Sequence, residues 1–414
     1  MNEDKQELLR WIERDKELLV SFLSQFVQAK SPNPPGDTRE AMAHIRKTLD
    51  AQAFDYRIID PKPEFPNLVA SFEGQAAGKH LVLNGHIDVF PVADHETWEH
   101  DPWSGAVQDG KVWGRGSADM KCGTTSSIFT YIYLHRMKES LKGKLTLTAV
   151  SDEETFGPWG ARHLIEHYPE VHGDCCLNAE PSSPFSIRFG EKGPLWLAFT
   201  VKTAGAHGAY THLTESATKV ASRLIIELDA LEMIDSPAPG NVGAALERGR
   251  DAIDKAQGSG ASSIVQKVTV NIGTVRGGIK VNTIPSECVV EADIRLPVGM
   301  DKNRVMAQVE EILTRFPQVS VEELVFNPPA WCDPEHEMMT ILQDNVVALG
   351  RERPQPICSL GGTDSRLWRY HDIPAFVYGP SPTGMGARNE HVEIEEFLHT
   401  LRTHVLSAYD YLTR

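Results

Sequence analysis

Several apolar segments of this sequence end in acidic or histidine side chains, and this repeated pattern restricts the fold more than any other feature. The segment over residues 79–90 is continuously apolar and closes on the letters GHIDVF. The segments over 144–154 and 174–181 repeat the form and end on SDEE and NAEP. Such apolar runs are typical of parallel strands that are buried on both faces. Helical patterns separate the runs, so the sequence predicts an α/β fold with a mostly parallel, doubly wound sheet.

The sequence pattern changes after residue 191 and changes back after residue 326. Between these points, the predicted elements follow the order β-α-β-β-α-β, which is the order of a ferredoxin-like α+β arrangement. Within this stretch, residues 235–263 are rich in Gly, Ser, Pro and Ala and are predicted to form a long loop. The predicted domains are a first domain built from residues 1–191 and 327–414, and an inserted domain over 192–326.

The charge and hydropathy of the chain argue against several classes of partner and indicate its compartment. The chain carries 41 Lys and Arg against 57 Asp and Glu, a net charge of −16, which argues against a nucleic-acid or membrane partner. No apolar run approaches the roughly 18–20 residues that span a bilayer. The N-terminal residues are predicted to form a charged amphipathic helix and do not have the pattern expected of a signal peptide. The six cysteines contain no C-x-x-C motif and are expected to be reduced, so we expect a cytoplasmic protein.

Four of the predicted strand ends carry side chains that bind metal ions in proteins. Ligand sites in open α/β sheets lie at the carboxyl ends of the strands, so these side chains are expected to converge. Taken singly, each has a plainer role, such as a hydrogen-bonded histidine or a capping aspartate. Several buried carboxylates together are costly unless a cation is present, and carboxylate with imidazole suits zinc or cobalt. The residues are His86, Asp88, Asp119, Glu153, Glu154 and Glu180.

In combination, these motifs resemble those of the M20 metallopeptidase family. That family includes acetylornithine deacetylase, succinyl-diaminopimelate desuccinylase, aminoacylase and glutamate carboxypeptidase. The resemblance extends from SPNPPGD near the N-terminus to about Glu396. It rests on GHIDVF, the W-x-x-x-P-W-S-G run at 98–105, GRGSADMKCG, SDEETFG, NAEP, VNTIPSECVVEADIR and GGTDSR.

The resemblance implies a site with two Zn²⁺ ions, for which Co²⁺ is able to substitute. The carboxylate of Glu153 would act as the general base, and Asp88 would orient a histidine ligand from behind. The implied ligands are His86 and Glu180 on one ion, Asp119 bridging both ions, and Glu154 on the other ion together with a C-terminal histidine.

The C-terminal motif departs from the family pattern. Family members often end in H-x-x-N-E-Y-V, whereas this chain has GMGARNEHVEIEEF. When the two are aligned on the N-E pair, Gly386 stands where the histidine is expected. Either His391 swings in from beyond the pair, or the second metal position lacks its imidazole; His371 and His399 are weaker candidates. We predict His391 as the ligand, because a site that loses a ligand also loses affinity.

The resemblance also implies residues that bind substrate and a homodimer. His207 would reach the active site of the neighbouring subunit and stabilise the oxyanion, although a surface-loop histidine is the plainer interpretation. Arg295 suits a carboxylate through its planar guanidinium, although an ion pair with Asp293 or Glu291 would also explain it. The residues implied to hold the carboxylate of the substrate are Asn282, Arg295, Gly361, Gly362 and Thr363.

The predicted function is hydrolysis of the amide bond in a small N-acylated amino acid, with water activated by two metal ions and Glu153. A metallocarboxypeptidase or dipeptidase on the same scaffold is the alternative, with a short peptide as substrate. A non-catalytic metal-binding relative is a further alternative. The chain has no Walker A loop and no G-x-S-x-G motif, which argues against P-loop phosphate binding and serine-hydrolase chemistry.

Overall fold

A computed structural model describes residues 1–93 and 97–414 of the chain. Over these residues the α-helices are α1 (Glu3–Arg14), α2 (Lys16–Gln28), α3 (Arg39–Ala51), α4 (Cys122–Arg136), α5 (Ala161–His167), α6 (Ala217–Leu228), α7 (Val242–Arg248), α8 (Arg250–Gln257), α9 (Ala261–Ile264), α10 (Lys302–Leu313), α11 (Glu337–Ala348), α12 (Ser365–Arg369) and α13 (Ile394–Thr413). The strands are β1 (Arg57–Ile59), β2 (Asn67–Glu73), β3 (Ala76–His86), β4 (Val107–Gln108), β5 (Lys111–Trp113), β6 (Lys142–Val150), β7 (Cys175–Asn178), β8 (Ser186–Glu191), β9 (Gly193–Lys202), β10 (Ala206–His207), β11 (Thr269–Gly277), β12 (Thr283–Ile284), β13 (Glu287–Leu296), β14 (Val319–Phe326), β15 (Ala330–Trp331), β16 (Gln355–Ser359), β17 (Ala375–Val377) and β18 (His391–Glu393).

The larger sheet is mixed and has nine strands in the described part of the chain. Its order is β1-β2-β6-β3-β7-β17-β8-β15, and β16 pairs with β8. Strand β3 runs parallel to both β6 and β7, and β7 runs parallel to β17. The strands near the two edges, including β1, β2 and β15, pair antiparallel. The predicted α/β class is therefore confirmed, with a sheet that is parallel at its centre.

Helices cover both faces of this sheet because the central strands are apolar on both faces. Successive side chains of a strand point to opposite faces. Leu81 and Leu83 of β3 join the core cluster that contains residues of α4 and α13. Between them, Val82 joins the cluster on the other face, with residues of α5 and α12. This two-sided burial explains why the strands read as continuous apolar runs in the sequence.

The smaller sheet is formed by β9, β11, β13 and β14 in the order β11-β13-β9-β14, with every pair antiparallel. With α6 and α10, its elements follow the order β-α-β-β-α-β along the chain, as the sequence predicts. Alternate side chains of β13 from Cys288 to Leu296 are buried against these helices. This period-two burial is typical of a sheet that packs on one face only.

The segment 235–263 is not the long loop that its composition suggested. It contains α7, α8 and most of α9, and α7 and α8 contact β16 of the larger sheet. Val242, Ala245 and Leu246 of α7 are buried at the three- and four-residue spacing of a helix. Small side chains allow these short helices to lie close to the sheet, which is why their composition resembled a loop. No helix in the described residues combines the length and apolar character needed to cross a membrane.

Candidate metal centre

The site is built where β3, β6 and β7 end at the same edge of the larger sheet. His86 is the last residue of β3 and lies beside Val150, the last residue of β6. Asn178 ends β7 in register with Asn84 of β3. Because the three strands are parallel, the acidic residues that follow each of them emerge at this edge.

His86, Asp119 and Glu180 form a buried cluster at this edge. The Nε2 of His86 lies 3.2 Å from Oδ1 of Asp119 and 3.2 Å from Oε1 of Glu180. One ligand atom from each residue lies within 4.8 Å of the other two. The Nδ1 of His86 lies 2.9 Å from the backbone oxygen of Asp88, which leaves Nε2 directed at the carboxylates. The structure thus brings together three of the predicted ligands.

The charges of the cluster fit a bound cation. Burial, together with the carboxylate of Asp119, raises the pKa of Glu180 to about 7. For His86, burial lowers the pKa, but the carboxylates of Glu180, Asp119 and Asp88 outweigh it and raise the pKa well above its usual value. A divalent cation would offset the repulsion between these carboxylates. One imidazole and two carboxylates form a donor set that suits zinc or cobalt.

Asp119 is held in place by a residue that the sequence analysis did not assign. It lies in the turn Ser117–Lys121 that leads into α4. The carboxylate of Glu390 accepts hydrogen bonds from the backbone N–H groups of Ala118 and Asp119, both at 3.1 Å. The guanidinium of Arg115 donates to the other oxygen of Glu390 at 2.7 Å. This buried ion pair fixes the backbone that carries the predicted bridging ligand.

Asp88 fixes the backbone of the acidic pair. Its two carboxylate oxygens accept hydrogen bonds from the N–H groups of Glu153 at 3.2 Å and Glu154 at 3.1 Å. The side chain of Asn33 donates a further bond at 2.9 Å. The distance from Oδ1 of Asp88 to Nδ1 of His86 is 3.5 Å. Asp88 therefore positions the backbone of both glutamates. That its carboxylate orients His86 stays a prediction, because the shorter contact of His86 Nδ1 is to the backbone oxygen of Asp88.

The two adjacent glutamates differ in their contacts. Burial raises the pKa of Glu153 well above its usual value, and its Oε1 lies 3.4 Å from a guanidinium nitrogen of Arg366. Arg366 comes from the GGTDSR motif, where the sequence analysis had not assigned it a role. Burial and the carboxylate of Asp119 also raise the pKa of Glu154. The Oε1 of Glu154 is buried and has no hydrogen-bond partner among the described residues.

The structure does not bring His391 to this cluster. Strand β18 pairs with β5, where His391 lies opposite Trp113, and the two rings are 4.4 Å apart. The Nδ1 of His391 lies 2.9 Å from the backbone oxygen of Asn389. Neighbouring side chains of an extended segment point to opposite sides, and Glu390 points towards Asp119. His391 therefore points away from Asp119 here, and its role as a ligand stays a prediction.

Gly386 and the other candidate histidines do not supply an imidazole either. A Cβ atom on Gly386 would lie 3.6 Å from the ring of Phe90, a residue that lines the cavity in front of the cluster. His399 is buried on α13, with its Nε2 2.7 Å from the hydroxyl of Tyr378. The ring of His371 lies against that of His172.

A cavity of about 630 Å³ opens in front of the cluster, and Asp119, Glu153, Glu154 and Glu180 are part of its lining. Of the predicted substrate-binding residues, Arg295, Gly361 and Gly362 also line it.

Two of the predicted substrate-binding residues, Arg295 and Thr363, have partners in the protein. Arg295 forms an ion pair with Asp293 at 2.8 Å. The N–H and hydroxyl of Thr363 both donate to the carboxylate of Glu191, at 2.8 and 2.9 Å.

His207 and Asn282 are exposed and lie in the segment 192–326. His207 is exposed on β10, which pairs with β12. Asn282 is also exposed and accepts a hydrogen bond from the N–H of Gly208 through its backbone oxygen at 2.8 Å. Neither residue is part of the cavity lining in the described part of the chain.

Comparison with known proteins identifies the family of the chain. The model of peptidase family M20/M25/M40 matches residues 82–409. A succinyl-diaminopimelate desuccinylase of Cereibacter sphaeroides is 25% identical over 406 residues, covering 94% of this chain and 98% of that protein. The M20 family metallo-carboxypeptidase Sso-CP2 of Sulfolobus solfataricus is similar in fold, with a TM-score of 0.78, 16% identity and 99% of both chains covered. The dipeptidase Dug1p of Saccharomyces cerevisiae has the same TM-score at 15% identity, with both chains fully covered. The chain is a metal-dependent hydrolase of amide bonds, and it belongs to peptidase family M20/M25/M40.

Proposed function

We propose that this hydrolase cleaves the amide bond of a small N-acylated amino acid and releases a carboxylic acid and a free amine. The observation that carries the proposal is the buried cluster of His86, Asp119 and Glu180 with Glu153 in the same cavity. The similarity to a desuccinylase over nearly the whole chain favours an acyl group over a second amino acid. The six cysteines are free, which fits the reducing cytoplasm that we propose as the compartment.

We propose zinc as the metal, with cobalt as a substitute, at two positions. His86, Asp119 and Glu180 would hold the first ion. Asp119 and Glu154 would contribute to the second, and the unpartnered Oε1 of Glu154 supports this position. The bound metal would polarise the scissile carbonyl and lower the pKa of the attacking water.

Side chains of the protein carry out the proton transfers. Glu153 takes the proton of the attacking water and returns it to the leaving nitrogen, as a general base and then a general acid. A carboxylate whose pKa is raised by burial is suited to both steps. The carboxylate of Asp88 accepts a hydrogen bond from the backbone N–H of Glu153, and the guanidinium of Arg366 lies 3.4 Å from the side-chain Oε1 of Glu153. Asp88 and Arg366 are thus positioning residues for the general base.

We propose that the protein is a homodimer formed through the inserted domain. The surface around His207 exposes large apolar side chains, among them Tyr210 (52%), Leu213 (64%) and Val281 (100%). Leu213 and Val281 line one groove, and the ring of Tyr210 lies 5.7 Å from the ring of His207. Exposed apolar patches of this kind mark interaction sites, and isologous pairing is the commonest oligomer symmetry. His207 does not line the cavity of its own chain, so we propose that it completes the cavity of the partner.

Mixing two inactive variants tests this shared site. Glu153→Ala lacks the general base and His207→Ala lacks the oxyanion donor, so each homodimer is expected to be nearly inactive. After subunit exchange, the mixture is expected to regain about one quarter of wild-type activity, because half of the randomly formed dimers carry one complete site. Native mass spectrometry of differently tagged subunits confirms exchange. Exchange without recovered activity would show that His207 does not act across an interface.

A substrate panel tests the proposed reaction. The zinc-loaded protein is expected to release free amine from N-acetyl or N-succinyl amino acids with a higher kcat/KM than from dipeptides with the same C-terminal residue. Amine release is followed with a ninhydrin or fluorescamine assay. Faster cleavage of dipeptides would identify a dipeptidase or carboxypeptidase. A zinc-loaded, folded protein that cleaves neither class would be a non-catalytic relative.

A further inference from the structure

Arg188 is a buried cation that lines the cavity and is not among the site residues predicted from the sequence. It lies on β8, is 8% exposed, and lines the same cavity as Glu153 and Glu180. Its Nε has no hydrogen-bond partner in the described part of the chain. Buried guanidinium groups in proteins are normally paired, because an unpaired buried charge is costly. An unpartnered guanidinium that faces a cavity therefore indicates a ligand that supplies the missing anion.

The carboxylates nearest in sequence do not supply this anion. Glu191, on the same strand, has both oxygens occupied: one accepts from the N–H of Thr363, and the other accepts from the hydroxyl of Thr363 and from Arg369 at 2.8 Å. Glu180 lies in the cluster with His86 and Asp119. Both carboxylates act on Arg188 through space, but within the described chain no ion pair joins either of them to its guanidinium.

The other cation of the cavity lining already has a partner. Among the described lining residues the two cations are Arg188 and Arg295. Arg295 is paired with Asp293 at 2.8 Å, and Asp293 also accepts a hydrogen bond from the indole of Trp196 at 2.9 Å. The N–H and hydroxyl of Thr363 are taken by Glu191, so they are not free to bind a substrate. Arg188 is therefore the cavity cation that is available to an incoming anion.

We propose that Arg188 binds a carboxylate of the substrate and makes the enzyme selective for anionic over neutral acyl amino acids. A planar guanidinium binds a carboxylate through two parallel hydrogen bonds, which a neutral ester or amide cannot reproduce. The proposal rests on the proposed function and deepens it. The carboxylate belongs either to the amino acid or to the acyl group, and matched substrates separate these two sources.

The test compares Arg188→Met and Arg188→Lys with Arg295→Met, all as zinc-loaded full-length proteins. The substrates are an N-acetyl amino acid and its C-terminal amide, and an N-succinyl amino acid and the analogue whose succinyl carboxylate is an amide. Arg188→Met is expected to raise KM by about 30-fold or more for the substrate that retains the bound carboxylate, with a smaller change in kcat. The KM of the partner that lacks that carboxylate is expected to stay within about twofold. Whichever pair loses its discrimination identifies the carboxylate that Arg188 binds.

Arg188→Lys retains the charge but not the planar fork, so its KM is expected to lie between those of the wild type and Arg188→Met. An equal loss for charged and neutral substrates in Arg188→Met would overturn the proposal. The proposal would also be overturned if discrimination were lost in Arg295→Met and retained in Arg188→Met.

Two further measurements keep the test independent of folding and of turnover. Because the Nε of Arg188 has no protein partner, Arg188→Met is expected to fold with a thermal midpoint at or above that of the wild type. A lower midpoint in Arg188→Met, accompanied by equal losses on all four substrates, would instead make Arg188 a structural residue.

The second measurement is calorimetric titration of the N-acetyl or N-succinyl amino acid into Glu153→Gln, with and without Arg188→Met, which gives affinity without hydrolysis. If the wild type cleaves no member of the panel, the proposed function fails, while weaker binding in the double variant would still support Arg188 as the anion site. Equal affinity in both would overturn it.

Discussion

Replacing Glu153 by glutamine is expected to lower kcat by about 10²- to 10⁴-fold, the usual contribution of a general base. The substitution keeps the size of the side chain and removes its ability to take a proton from water. Glu153 is proposed as the general base and not as a ligand, and its Oε1 already lies 3.4 Å from the guanidinium of Arg366, so the metal content is expected to stay at the wild-type level. Steady-state kinetics and metal analysis by mass spectrometry on the same preparation check both expectations.

The neighbouring residue provides a matched control for this prediction. Glu154→Gln makes the same chemical change one position away, at a carboxylate whose Oε1 is directed to no protein partner. It is expected to lower the metal content as well as kcat, because Glu154 is proposed as a ligand. Metal loss in Glu153→Gln would make Glu153 a ligand too, and an unchanged kcat would remove it from the mechanism.

The edge of the sheet that carries the cluster could be predicted from the sequence because each strand contributes its own local signal. An apolar run buried on both faces, followed at once by an acid, locates the carboxyl end of a parallel strand without knowledge of its neighbours. This signal predicts His86 and Glu180 at the ends of β3 and β7, whereas Asp119 lies in the turn Ser117–Lys121 before α4 and not at the end of a strand of the larger sheet. The structure brings the three side chains together.

The residues that hold these ligands in place were missed because their partners are distant in the sequence. Glu390 bonds to the backbone of Asp119, 271 positions away, and Arg366 contacts Glu153 across 213 positions. The neighbouring sequence does not distinguish either residue from an ordinary charged residue. The register of β18, which turns His391 away from Asp119, is set by its pairing with β5 and is likewise not visible in the motif.

The sequence around Arg188 contains a signal from which a buried charge can be predicted. The segment SIRFGE is buried at every position, and Arg188 is a charged residue inside it. An arginine on a buried strand needs a partner for its charge. The sequence does not show that the carboxylate of Glu191 is already occupied, because its partners Thr363 and Arg369 are distant in the chain.

In the segment 235–263, the sequence contains the helical spacing of Val242, Ala245 and Leu246. The prediction of a loop followed the Gly and Pro content of the segment instead.

Removal of the metal is expected to reduce hydrolysis to the background rate, and addition of Zn²⁺ or Co²⁺ is expected to restore it. Burial and the carboxylate of Asp119 raise the pKa of both Glu180 and Glu154, so the site contains a charge arrangement that suits a divalent cation. The protein is dialysed against a chelator, its metal content is measured, and activity is followed during stepwise addition of each ion. Far-UV circular dichroism of the metal-free protein controls for loss of the fold. Full activity in metal-free protein would contradict the proposed mechanism.

The same titration tests which residues are ligands of the proposed second metal ion. The ligand role predicted for His391 from the sequence requires His391→Ala to lose metal, whereas the position of its ring against Trp113 favours a variant that binds as much metal as the wild type. Glu154→Gln is expected to bind less, since it removes a carboxylate from the weaker position. With Gly386 at the aligned histidine position, the proposed second ion would have fewer protein ligands than the first, so it is expected to be released at a lower chelator concentration. If His391→Ala instead lost one ion, the imidazole would have to swing round from Trp113 when metal binds, and the ligand role predicted from the sequence would be established.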